Sequence, residues 1–295
     1  MATASVTIDL TILFALATEA QLGPKSVAAL LAHFGEPSAI WDCGIDEVAQ
    51  IAHLSGEAVE RLATARGLTD ALAEELELII AAGTTPISIT DARYPQRLLR
   101  LPDPPTIIYV RGTLPAEDRI AVAVVGTHLA DAEGIAEAVA WGKGLAQRDV
   151  VVVSGLARGI DGGAHTGALA GDGQTLAVLG AGFNHIYPPE HCTLAEEIER
   201  HGALISEHPP FTPLTKQRLV YRNRLIVALA DAVVVVRLHP AKAGGSMEAI
   251  RRARDLACPT YLVATDTGPG TRQAVADGAI PIGHLPDYDL VLKYL

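Results

Sequence analysis

Ser154, Gly155, Arg158, Gly159, Asp161 and His165 fall within twelve consecutive residues, S-G-L-A-R-G-I-D-G-G-A-H, directly after four valines, Val150 to Val153. The valine run reads as a buried parallel strand, and such sheets keep their ligand sites at the carboxyl ends of the strands. The glycines allow close backbone approach to a ligand, and the helix that follows presents unpaired N–H groups to an anion. The same residues also suit a tight strand-to-helix turn closed by a buried Arg–Asp pair, with Asp161, His165 and Gly180 as turn residues. A second group is Arg222-Asn223-Arg224, which opens a helix after the proline-rich loop 209–213. Guanidinium groups there suit phosphate oxygens, and Tyr221 or Phe211 suits stacking on an unpaired base. Alternatively the arginines satisfy Asp161 or Glu207 inside the fold, or one does so while the other stands at the surface. A third group, Gly244-Gly245-Ser246-Met247-Glu248, either holds an anion at a helix start or caps that helix through Ser246.

Other chemistries lack their residues. After the first strand of the α/β region the chain reads Val125-Gly126-Thr127-His128-Leu129-Ala130, with one glycine where a dinucleotide fingerprint needs three. Gly180-Ala181-Gly182 lacks the third glycine too. There is no Walker lysine and no H-E-x-x-H. Ser154 is not in a G-x-S-x-G elbow, and His165 has no evident nucleophile to serve as base. His185, His191, His201 and His208 are not spaced with a carboxylate as metal ligands are, and they read as loop and surface residues. No catalytic residue, metal or cofactor is therefore expected. Glu248, beside its glycine loop, is the one carboxylate eligible for nucleotide chemistry.

The elements that position these groups alternate regularly. Strands are expected at 121–125, 150–153, 175–179, 203–206, 232–237 and 259–263, and helices at 131–147, 162–170, 192–201, 221–230 and 245–257. This is an α/β fold, a doubly wound, mainly parallel, Rossmann-like sheet over 119–295. Residues 1–82 form a small all-helical domain, in which Leu22-Gly23-Pro24-Lys25 joins two helices as in a helix-hairpin-helix (SAM-like) element. Such hairpins aim N–H groups at DNA or simply pack, and the acids nearby favour packing. Residues 83–118, rich in proline, connect the two and carry one or two strands.

Composition narrows the class. The chain has 295 residues, 49% hydrophobic and 19% charged, as a globular protein does. Its net charge of −11 argues against a wholly basic nucleic-acid surface. The charge is uneven: residues 1–90 carry −9, whereas residues 216–254 carry +7, the pattern of a local polyanion patch. Cys43, Cys192 and Cys258, odd in number and far apart, fit a reducing cytoplasm. No signal peptide or membrane span is recognisable near Met1.

Taken together these strings resemble the DprA/Smf family of DNA-processing proteins. S-G-L-A-R-G-I-D-G-G-A-H is the most specific. The strings G-Q-T-L-A-V-L-G-A-G-F-N-H-I-Y-P-P-E-H, G-A-L-I-S-E, Y-R-N-R-L-I-V-A-L-A and G-T-R-Q-A-V-A-D-G-A follow in family order, and with the connector D-A-R-Y-P-Q-R-L…P-P-T-I-I-Y-V-R-G before them the resemblance covers roughly residues 85–282. The resemblance implies an extended Rossmann-like fold that binds single-stranded DNA, hands it to RecA and dimerises, without catalytic turnover. It places Arg158, Arg222 and Arg224 in the DNA pocket. With the glycine loops, the expected phosphate-binding set is Gly126, Thr127, His128, Ser154, Gly155, Arg158, Gly159, Arg222, Asn223, Arg224, Gly245 and Ser246.

The chain departs from the family at the rim. His128 stands where an arginine is usual, D-A-E-G (131–134) replaces T-x-Y-G, and Val220-Tyr221 replaces F-P. Gly244-Gly245-Ser246-Met247 replaces S-G-S-L, and Ala264-Thr265 replaces P-G. The chain reads as a divergent member without a C-terminal winged-helix domain. The competing expectation is a Rossmann-like sensor or enzyme acting on a small nucleotide.

Overall fold

The computed structural model describes residues 6–238, 244–264, 267–283, 286–293 and 295. Lys242, Ala243 and Thr265, which the sequence reading used, lie outside these. The chain divides into two compact units, residues 1–94 with 101–109, and residues 95–100 with 110–295.

The first unit is built on α1 (Ile8–Ala17), whose sequence I-D-L-T-I-L-F-A-L-A is apolar on nearly every side. A helix of that kind must be surrounded. Leu10, Ile12, Leu13, Phe14 and Leu16 are all buried, beneath α2 (Pro24–Phe34), α3 (Pro37–Asp42), α5 (Gly56–Gly67) and α6 (Thr69–Ala81). Helix α4 (Ile45–Ile51) packs on α2 and α5. Thr7 caps α1 and Ser55 caps α5 through their hydroxyls. Pro24 opens α2 at a position that needs no N–H, and Gly35, at φ +84°, ends it. Strand β1 (Thr85–Ser88) completes the unit, and β2 (Ile107–Gly112) leads out of it.

In the second unit seven parallel strands lie in the order β6-β5-β4-β3-β7-β8-β9. They are β3 (Ala121–Gly126), β4 (Val151–Ser154), β5 (Thr175–Leu179), β6 (Ala203–Ser206), β7 (Ala232–Val236), β8 (Thr260–Val263) and β9 (Ile280–Ile282). The chain winds outward from β3 to β6, then returns to lie beside β3 with β7. The strand order therefore reverses between β3 and β7, where doubly wound sheets open a crevice at their carboxyl edge. Central strands are buried on both faces, which explains the valine runs that mark them. One face packs Val122, Val124, Val152, Val234 and Val236 against α7 (Ala132–Ala146) and α8 (Ile160–Ala170), around Trp141. Helices α11 (Asn223–Ala228) and α12 (Gly245–Asp255) cover the other, and α9 (Cys192–His201) packs on β5 and β6.

Asp231 anchors the return to β7: it accepts Nε and NH2 of Arg97 at 3.1 and 2.8 Å and the Ala121 N–H at 2.9 Å. Arg100 donates to the Ala228 and Ala230 carbonyls at the end of α11. These two arginines tie residues 95–100 to the second unit.

The expected strands recur within a residue or so; the expected helix 221–230 is the shorter α11, and a helix the sequence did not mark, α10 (Lys216–Tyr221), precedes it, the two meeting at Arg222. Beyond residue 264 the structure adds α13 (Pro269–Ala276), β9 and α14 (Tyr288–Leu292), for which the sequence showed no pattern. A three-residue edge strand holding Pro281 has too little periodicity to be read. Among the described residues no helix is long and apolar enough to cross a membrane.

Candidate functional site

The glycine-rich segment is the turn from β4 into α8. Ser154 Oγ donates to Val124 O at 2.7 Å and is fully buried, so its hydroxyl links two strands. The chain then passes through left-handed backbone at Leu156 (φ +60°) and Gly159 (φ +71°). At Gly159 a Cβ would also lie 2.5 Å from Thr127 O and 3.2 Å from His128 Cα. The turn thereby abuts the β3 end, and Ile160 N donates to Thr127 O. Arg158, at the apex, is exposed.

Beneath the turn lies a buried polar brace. Arg222 is 4% exposed. Its NH1 donates to Gly155 O and Val178 O, its Nε to Asn223 Oδ1 at 3.1 Å, and its NH2 sits 3.7 Å from Asp161 Oδ2. A Cβ at Gly155 would fall 2.2 Å from the guanidinium, so the brace requires glycine there. Burial raises the Asp161 carboxyl against the opposing pull of Arg222. Next to this brace Thr175 Oγ1 donates to Val152 O and must accept from His165 Nδ1, 2.7 Å away. His165 is thus neutral with its proton on Nδ1, and burial pushes its pKa down to about 3.

Arg224 is 1% exposed, pairs with Glu207 at 2.5 Å and stacks 4.2 Å from the Tyr221 ring. Both arginines of R-N-R therefore face acids inside the fold, one of the arrangements the sequence left open. Asn223 Nδ2 donates to Gly245 O at 3.4 Å, joining this segment to the start of α12. Ser246 is buried, whereas Gly245 and His128 are exposed. Gly126 abuts Val236 O and Gly180 abuts Leu219. The expected residues thus form one continuous patch along the carboxyl edge, with Arg158 and His128 outermost among their side chains.

Sequence reasoning missed three features. The first is how much of the basic charge of 216–254 is spent internally. Arg237 meets Glu133 and Glu137, Arg252 and Arg251 meet Glu248, and Arg251 and Arg254 meet Asp277. Glu248, nominated for nucleotide chemistry, is held at 2.9 Å by Arg252 Nε. The second is an open hollow of about 560 Å³ lined by Lys216, Gln217, Arg218, Val220, Tyr221 and Arg252. Its cations were counted, but only the fold brings α10 and α12 together. The third is Tyr187 and Glu190, which flank Arg158.

The histidines are scattered. His191 Nδ1 bonds Leu156 O, His201 Nδ1 bonds Glu197 O, and His185 Nε2 bonds Phe211 O. Burial pushes His208 down to about 4. No cluster that could hold a metal occurs among the described residues. Asp131, in the altered D-A-E-G string, caps α7 by accepting the Gly134 N–H at 2.8 Å, a task threonine also performs.

Comparison with known proteins bears on this arrangement. The family model described as DNA recombination-mediator protein A matches residues 85–289. The chain belongs to that family. The DNA processing protein DprA of Bacillus subtilis is 38% identical over 157 residues, covering 52% of each chain; the chain thus spans about half that relative's length. Among solved structures, DprA of Streptococcus pneumoniae superposes with a TM-score of 0.75, covering 95% of both chains at 24% identity, which establishes the shared fold. DNA processing protein A of Helicobacter pylori, described by its single-stranded DNA binding mode, superposes with a TM-score of 0.61 at 26% identity, covering 68% of this chain and 90% of that one.

Proposed function

We propose that this chain binds single-stranded DNA along the carboxyl edge of its parallel sheet and passes it to RecA, acting as a cytoplasmic homodimer. The observation that carries the reading is the exposure of Arg158 on a turn braced from below by Arg222 and Asp161. A guanidinium held outward on a rigid glycine turn is suited to a backbone phosphate. The H. pylori relative, which shares this fold, supports the choice of ligand. Thr127, Gly159, Asn223 and Gly245 lie along the same edge, with His128 beside Arg158 at its rim. Lys216, Arg218 and the exposed faces of Tyr221 and Val220 extend it with cations and a stacking ring. Arg222 and Arg224 serve by holding the edge in shape.

An oligo-dT titration at two salt concentrations, followed by fluorescence anisotropy, tests this. For each tenfold rise in salt log K should fall by about 0.7 per phosphate neutralised, and Arg158→Ala or Lys216→Ala should weaken binding and flatten the slope. Absence of binding at low salt, with a thermal shift on adding a mononucleotide, would replace this reading by the small-nucleotide one. Acceleration of RecA assembly on the same oligonucleotide tests the hand-over.

A further inference from the structure

Arg158 has a partner within the chain. Its Nε donates to Glu190 Oε1 at 2.5 Å, and its guanidinium carbon lies 5.7 Å from the centre of the Tyr187 ring. Both partners come from the loop after β5, and Glu190 is the middle residue of a short 3-10 turn, Pro189–His191. That turn is fastened to the glycine turn independently of the ion pair. His191 Nδ1 bonds Leu156 O at 2.9 Å, and the His191 ring lies so close over Gly162 that a Cβ there would sit 2.7 Å from it. The carboxylate is therefore built in beside the guanidinium. The two side chains are still 48% and 52% exposed, open to an incoming ligand. The hydrogen bond from Arg158 holds the Glu190 carboxyl below the usual carboxylate range, so it is ionised at neutral pH.

We infer that Glu190 is a specificity-determining residue: it occupies the phosphate position on Arg158, so that a ligand must displace a carboxylate in order to bind. The inference rests on the single-stranded DNA reading and adds which ligands the edge rejects. A mononucleotide exchanges one exposed ion pair for another and gains little. A single strand keeps its remaining phosphate contacts while it competes, and each neutralised phosphate releases condensed counterions. The strand wins where the monomer does not. Tyr187, 42% exposed, then offers its ring to a base as Arg158 turns to the phosphate.

The experiment titrates fluorescent oligo-dT, and thymidine monophosphate as competitor, against the unsubstituted chain, Glu190→Gln, Arg158→Ala and the double variant. Glu190→Gln should bind the oligonucleotide about two- to fivefold tighter, with a salt slope steeper by up to about 0.7. It should also gain competition by thymidine monophosphate. The double variant should lose both gains. An unaltered urea midpoint for Glu190→Gln shows that the fold is intact. Glu190→Gln binding no tighter than the unsubstituted chain, a gain that survives removal of Arg158, or a gain for the oligonucleotide but none for the monomer would each overturn the inference while leaving the DNA reading in place. If neither the unsubstituted chain nor Glu190→Gln binds oligo-dT, both fall.

Discussion

Two arginines, twelve and fourteen positions after Pro210, illustrate how residue type and residue role separate. Arg222 and Arg224 have the chemistry of phosphate ligands, yet both are buried against carboxylates. Removing Arg222 would leave the Asp161 carboxylate buried without its cation and two strand-end carbonyls without a donor. Arg222→Ala should therefore cost about 3–5 kcal/mol in urea unfolding, whereas Arg158→Ala should leave the unfolding midpoint unchanged. His165 makes a separate prediction. Its folded pKa, about 3, lies below the unfolded 6.5, so between these values the unfolded chain binds the extra proton. The stability that neutral His165 confers is complete above pH 6.5 and falls with pH by about 1.4 kcal/mol per unit across that window. Urea unfolding at pH 7, 6 and 5 should show a shallower decline in His165→Gln. His128, exposed beside Gly159 at a position where the sequence resemblance implies arginine, predicts the opposite kind of effect. His128→Arg should tighten oligo-dT binding, with a steeper salt slope.

At the scale of elements, the strands and most helices of the second unit were legible because buried parallel strands demand unbroken valine-rich runs and helices need 3.6-residue periodicity. Val150 to Val153 and Val233 to Val236 are the clearest cases. The short helix α10 before Arg222 was hidden because six residues after a proline-rich loop are too few to show a helical period. At the junction of α10 and α11 the Arg222 guanidinium reaches both Gly155, in the turn after β4, and Val178 on β5. The patch of glycines and R-N-R was legible as a group, and its internal pairing was not, since burial is decided by which helix covers which strand. Gly159 should be intolerant: Gly159→Ala combines left-handed φ with a Cβ 2.5 Å from Thr127 O. A loss of at least about 1–3 kcal/mol in unfolding is expected.

Over the whole molecule, charge asymmetry told less than its count suggested. In a segment carrying +7, many of the described cations are committed to Glu133, Glu137, Glu207, Glu248 and Asp277. An acidic protein with a narrow cationic edge admits a flexible polyanion that threads along it and repels one that spreads across the surface. Oligo-dT should accordingly be preferred over duplex of equal length, the duplex competing poorly even at low salt.

The chain's route also limits how the protein can be taken apart. Residues 95–100 belong to the second unit although residues 101–109 return to the first, and Arg97 and Arg100 grip Asp231 and the end of α11. The boundary is interleaved, so neither unit is a cassette that one cut can lift out. A fragment starting at Val110 would leave Asp231 and two helix-end carbonyls without their arginines, and recombination between relatives would be tolerated only at breakpoints that keep this six-residue clasp with the sheet it fastens.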